Sequence, residues 1–238
     1  MSSPEAQVMS RSVEVFIVVE GPTEQTFIRE VLAPEMAHKS IYLHPALIGK
    51  PGHKGGNIRF DRARKDIEKF LKQRSDIYVS IMFDYYGINA GWPGRDEVIS
   101  SNPMDKATVM MCRTAREIDR LCPGIQAKNR FIPYFSMHEF EALLFSVPHV
   151  LADKIRVRKE DICQILDECG EPENINDNPQ TAPSKRIENM RGSSFKKTID
   201  GIAVARTIGI EAIREKCPVF HAWLKKFEEL PRNIMAEQ

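Results

Sequence analysis

Apolar and polar positions along this chain fall into two regimes. Through about residue 145, short apolar runs rich in β-branched residues alternate with amphipathic stretches. Residues 13–19 (VEVFIVV), 41–48, 77–83 (IYVSIMF) and 130–136 have the length and near-continuous apolar character of strands buried on both faces of a parallel sheet. Between them, 22–36, 58–73 and 104–121 carry apolar residues at helical spacing, with Pro22 and Thr23 suited to opening the first helix. This alternation predicts an α/β fold: a parallel sheet of about four strands flanked by helices. Beyond residue 146 no strand pattern appears. Helical stretches are expected at 158–168, 183–190, 196–216 and 218–229, with a Pro/Asn-rich loop near 171–184. The expected organisation is an α/β domain over 12–145 and a C-terminal helical region, 146–238, packed on it.

In such sheets ligands bind outside the carboxyl ends of the strands. Three expected strands end in acids: Glu20, Asp84, and the pair Glu139/Glu141. All should therefore project to one edge. Carboxylates gathered there can hold a hard divalent cation and can move protons. Glu20 and Asp84 have no propensity reason to follow buried apolar runs. Glu24, in the first turn of a helix, could equally well be there to stabilise the helix dipole. His138 and Glu141 are three apart, so one helical turn would place both on one face and turn Glu139 elsewhere.

Composition narrows the picture. With 34 basic and 33 acidic residues the net charge is +1, which argues against a polybasic nucleic-acid coat but not against an enzyme with a local basic face. Charge is in fact segregated. Residues 49–74 hold nine bases against three acids, and 184–206 six against two, while 160–177 hold seven acids and no base. Lys50 and Lys54 in the glycine-rich stretch 49–57, together with Lys185, Arg186 and Lys197, are candidate nucleic-acid contacts; a solvated surface would look the same. Five cysteines without CxxC spacing suit reduced thiols in a cytoplasmic protein, with Cys112, Cys122, Met110, Met111 and Phe140 read as core packing. No apolar run reaches the ~18 residues of a membrane span. The GxSxG, HExxH and P-loop patterns are missing.

The motif strand–Glu-Gly-x-Thr-Glu–helix, followed by strand–Asp, resembles the Toprim fold. The wider set is Glu20-Gly21-Pro22-Thr23-Glu24, Asp84-Tyr85-Tyr86-Gly87, His138-Glu139-Phe140-Glu141-Ala142-Leu143-Leu144-Phe145, Pro183-Ser184-Lys185-Arg186 and Lys197. Together these resemble a family of small bacterial Toprim-related proteins that includes the nuclease effector of the PARIS anti-phage defence system. The resemblance runs from about residue 13 to 230. It implies a nuclease dependent on Mg²⁺ or Mn²⁺, with Glu20 as acid/base or ligand and Asp84 as the first acid of an Asp-x-Asp motif. Tyr86 stands where the second acid would be, so Glu141, or else Glu139, would supply the missing carboxylate. The expected catalytic set is Glu20, Asp84 and Glu141; Glu24 joins them as a metal ligand, and His138 and Glu139 are additional candidates. The resemblance further implies a defence effector acting on transfer RNA, RNA being favoured over DNA, held by an ABC-type ATPase partner and active as a homodimer. Two other readings stay open: a non-catalytic binding subunit of the same fold, and a DNA endonuclease.

Overall fold

The computed structural model describes residues 12–49, 58–100, 102–175, 180–191 and 195–236, with side chains described as far as residue 230, residue 191 excepted. Four strands, β1 (Val13–Val19), β2 (Ile41–Leu47), β3 (Tyr78–Asp84) and β4 (Phe131–Ser136), form one sheet in the order β2-β1-β3-β4. Every pairing is parallel, and the ladders run Val19↔Leu47, Val19↔Met82 and Asp84↔Ser136 at their carboxyl ends. The α/β class expected from the apolar pattern is the observed one. Both strand prolines lie on edges, Pro45 in β2 and Pro133 in β4, where a missing N–H costs no ladder bond on the open side.

The first helical path is continuous but not regular. α1 (Pro22–Phe27) passes through a π turn, Ile28–Leu32, into α2 (Ala33–Ala37). Pro34 has no N–H to give, and the Ala33 N–H reaches back to the Ile28 carbonyl, so the turn widens there. α3 (Phe60–Gln73) buries Ala63, Ile67 and Leu71 and keeps Arg64, Glu68 and Lys72 on its outer face as i,i+4 pairs. α4 (Pro103–Leu121) is capped by Asn102, whose side chain accepts from the N–H groups of Met104 (2.9 Å) and Asp105 (3.2 Å). A single turn, α5 (Ala127–Arg130), leads into β4. Met110, Phe140 and Cys122 are buried as read, and Met111 packs against the core from a partly buried position. Cys112 is not core: two residues beyond Met110 it has rotated about 200° round α4 and is exposed.

The C-terminal region carries no strand among its described residues; its helices are α6 (Pro148–Ile155), α7 (Lys159–Cys169), α8 (Pro183–Arg191), α9 (Ile202–Ile208), α10 (Ile210–Lys216) and α11 (Pro218–Ala236). The single helix expected over 196–216 is instead a π turn, Lys197–Gly201, followed by α9 and α10. The break falls at Gly209, whose φ of 81° cannot continue a right-handed helix. Residues of both regions share one continuous apolar core. α11 lies on the sheet through Trp223, which stacks on Tyr134 at 4.5 Å and donates its indole N–H to the Ser80 hydroxyl at 3.0 Å. On the opposite face Trp92 meets Phe83 and Phe135 edge-on and donates to Thr114 of α4 at 2.8 Å. No helix among the described residues is long and apolar enough to cross a membrane.

One buried acid ties the middle of the C-terminal region to the start of its last helix. Glu173, on the 3₁₀ turn Pro172–Asn174, accepts the N–H groups of Val219 (2.8 Å) and Phe220 (3.0 Å) in the first turn of α11. It is 4% exposed. Burial raises its pKa from 4.5 to about 7, against the opposing pull of those two N–H donors. The folded state therefore holds this proton more tightly than the unfolded chain does. The stabilisation is full below the unfolded pKa and is lost as pH rises through about 7. We expect Glu173 to remove about 3 kcal/mol of stability between pH 4.5 and 7. Urea midpoints across that range should fall more steeply in the wild type than in Glu173→Gln, the difference between the two curves carrying this loss; parallel curves for the two proteins would refute it.

Candidate active site

Three neighbouring strands deliver the acids. Glu20 directly follows β1, Asp84 is the last residue of β3, and Glu139 and Glu141 come just after β4. The Tyr85 N–H continues the β3–β4 ladder to the Ser136 carbonyl (2.8 Å), and the Gly87 N–H closes a tight turn on the Asp84 carbonyl (2.9 Å). That turn lies against Glu20. A Cβ on Gly87 would stand 2.7 Å from Glu20 Oε2, so only glycine leaves room for the carboxylate as it sits.

The other acids are each held separately. Glu24, one turn into α1, folds back to accept the Gly21 N–H at 3.0 Å, which is the capping half of its dual reading. Glu139 Oε2 accepts the Ser184 N–H at the start of α8, 2.9 Å away. Glu141, 2% exposed, pairs through Oε1 with Lys197 Nζ at 2.9 Å; the same ammonium stands 3.9 Å from Glu139. A threonine pair, Thr23 and Thr198, 3.2 Å between hydroxyls, braces α1 against the turn that carries Lys197.

The electrostatics follow from this crowding. Burial, then Glu24, Glu20, Glu141 and Glu139, push the Asp84 carboxyl well above the usual carboxylate range. Glu24 is raised by burial, opposed by its backbone hydrogen bonds and reinforced by Glu20. Glu141 is raised by burial although Lys197 opposes the shift. Burial works against the Lys197 ammonium, but Glu141, Glu139 and Asp84 outweigh it and raise its pKa. The site favours a bound proton or a cation.

Glu20, Glu24, Asp84, Glu139 and Glu141 thus converge, with Lys197 among them. Two expectations change. Glu139 does not point elsewhere. Its backbone is extended (φ −111°, ψ 164°) and the helical turn begins only at Phe140, so the i,i+3 argument for His138 and Glu141 does not apply. Glu139 instead converges with Glu141 on Lys197, while His138, 7% exposed, lies under Tyr86 with ring centroids 6.1 Å apart and planes 21° apart. Lys185 pairs with Glu188 on its own helix at 2.6 Å. Arg186 is turned to the Thr181 carbonyl (2.9 Å) and to Glu168 (3.5 Å). Lys50 and Lys54 lie outside the described residues.

A family model described as a domain of unknown function, DUF4276, matches residues 19–228, from the residue before Glu20 to beyond Lys197. This chain is a member of the DUF4276 family. No curated protein and no solved structure matches it. The DUF4276 match takes in every described acid of the cluster and the helices that cover it, so the site lies wholly within the family domain.

Carboxylate oxygens in this number are the donor chemistry of a hard cation such as Mg²⁺ or Mn²⁺, and the raised proton affinity of Asp84 fits a place that a cation would relieve. In donor chemistry the residues fit such an ion. In spacing they do not yet form a closed ligand set: no three His, Cys, Asp or Glu side chains among the described residues are grouped to hold a metal. Glu24 and Glu139 are engaged by backbone N–H groups and Glu141 by Lys197. Sequence reasoning gave no role to three participants. Gly87 carried a signal, a glycine just past a strand-end acid. The Ser184 N–H and Thr198 carried none, being distant in sequence from the groups they hold.

Replacing Lys197 with methionine leaves Glu141, Glu139 and Asp84 without this cation. The proton affinities of Glu141 and Asp84, already raised, should rise further. The variant should lose little stability near pH 5 and progressively more towards pH 8, as the folded state is forced to ionise carboxyls the unfolded chain ionises freely. Denaturant melts of both proteins at several pH values measure this; a pH-independent difference would show that Lys197 is not a counter-ion.

Proposed function

We propose that the protein is a metal-dependent nuclease of the Toprim type that acts on RNA. The observation that supports this most is the convergence of Glu20, Glu24, Asp84, Glu139 and Glu141 at the carboxyl edge of three adjacent parallel strands. A phosphodiester is an anion and repels such a cluster, so the arrangement makes sense only with a cation between them. Asp84 and Glu141 would hold Mg²⁺ or Mn²⁺, with Glu20 or Glu24 completing the set. When bound, the ion would polarise the phosphate and stabilise the leaving oxygen.

The chain's own groups have separable tasks. Glu20, kept in place by the close Gly87 backbone, is positioned to take or return a proton. Asp84, with its raised affinity for positive charge, is the group most in need of a cation. Lys197 carries a charge of the sign a phosphate needs and is already anchored by Glu141. The resemblance to PARIS effectors adds a narrower proposal: a cytoplasmic defence effector that cuts transfer RNA as a homodimer, restrained by an ABC-type ATPase partner.

A second reading has its own support. Tyr86 in place of a second acid and the open ligand spacing would suit a non-catalytic binding subunit. It predicts nucleic-acid or partner binding indifferent to Mg²⁺ and to Asp84→Asn.

The deciding experiment incubates the purified protein with total transfer RNA and with plasmid DNA, in Mg²⁺, Mn²⁺ or EDTA. We expect metal-dependent RNA cuts that fall by at least about 100-fold in Glu20→Gln, the usual scale for a lost general acid or base. Gly87→Ala, which crowds the same carboxylate, should lower kcat while leaving substrate affinity nearly unchanged. Intact substrates under every condition, or unchanged cleavage by Glu20→Gln, would overturn the nuclease assignment.

A further inference from the structure

Beside the acids stands a group their chemistry does not use. Tyr86 follows the end of β3 by two residues, yet its large ring is 42% exposed. The ring is held in place. It meets the buried Tyr85 edge-on at 4.9 Å and lies nearly parallel to His138, the residue before Glu139. Its hydroxyl is 3.5 Å from Lys106 Nζ in the first turn of α4. Two cations gather on this aromatic pair. The Arg95 guanidinium lies 3.7 Å above the Tyr85 ring and 5.4 Å from that of Tyr86, and also donates to the Tyr85 carbonyl. Lys106 Nζ is 5.7 Å from the Tyr85 ring. The ring is thus exposed yet oriented, flanked by positive charge and two residues from Asp84.

An unpaired nucleotide offers the matching chemistry: a flat base for the ring and a phosphate for the cations. Such stacking is tolerant of base identity, because every base has a π face. A base inside a duplex has no free face to offer. We propose that Tyr86 is the stacking platform for an unpaired base next to the phosphodiester that the acids address, with Lys106 and Arg95 holding its flanking phosphate. The proposal rests on the nuclease reading and narrows its substrate to single-stranded or looped RNA. It also gives Tyr86 a reason to stand where a metal-binding acid was expected: the position reads the substrate.

The test is equilibrium binding of labelled oligoadenylate, of its duplex with oligouridylate, and of strands carrying one abasic position moved along the chain. All are measured by fluorescence anisotropy with Mg²⁺ in a Glu20→Gln background, which stops cleavage. Tyr86→Leu, which keeps apolar bulk, should weaken single-strand binding by about 5- to 150-fold, while Tyr86→Phe should stay within about twofold of the parent. At one abasic position the parent should lose as much as Tyr86→Leu does, and the two losses should not add. Lys106→Ala should lower the salt dependence by about one ion. If the parent binds single strands and Tyr86→Leu binds them equally well, or if the abasic loss adds to that of Tyr86→Leu at every position, the platform is wrong and the nuclease reading stands. If the parent binds no RNA, and the wild type cuts none, both fall together.

Discussion

Everything at the working edge of this protein depends on like charges being forced together. The parallel sheet does the forcing. Because β1, β3 and β4 run the same way and are neighbours, whatever follows their carboxyl ends arrives in one place. Here that is a set of carboxylates. In water they would repel weakly; behind a cover of helices, burial first and the poorly screened repulsion second raise the proton affinity of Asp84. A cluster of this kind opposes folding, and its persistence in a well-packed chain points to use rather than to stability.

The helices beyond β4 manage that repulsion. The α8 terminus gives the Ser184 N–H to Glu139, the π turn before α9 gives Lys197 to Glu141, and Thr198 fixes that turn to α1 through Thr23. Within the first domain Gly21 does the same for Glu24. Each tether neutralises or orients one acid without closing a metal site. The C-terminal region therefore completes the site and is not a separate body hung on the sheet.

How that region is fastened matters equally. Phe27 of α1 touches both Phe140 beside the acids and Phe220 of α11, and Trp223 reaches Ser80 in the middle of β3. Glu173 holds the start of α11 by two backbone donors. The acid edge and the last helix share one apolar core, so a disturbance at α11 is felt where Phe140 packs next to Glu141.

Much of this was legible in one dimension. Apolar runs too continuous for a half-exposed sheet announced parallel strands, and the acids directly after them announced the edge where chemistry would gather. The strand order was not read from the sequence; the prolines of β2 and β4 agree with edge positions but leave the order of β1 and β3 open. Other features could not be read along the chain. The partner of Glu141 is Lys197, contributed by a turn far along the sequence, and the partner of Glu139 is a backbone N–H with no side-chain signature at all. Glu139 was misplaced because a helical period was assumed across an extended residue. Cys112 was misplaced because an amphipathic helix has an outer face. Tyr86 looked like a missing acid, and only its setting beside Tyr85, His138, Arg95 and Lys106 supports the role proposed for it. The chain's local pattern determined which groups reach the edge, since strand periodicity and termini are short-range properties. Which of them meet, and what neutralises them, was decided by tertiary packing, because charge pairing depends on distance in space and not along the chain.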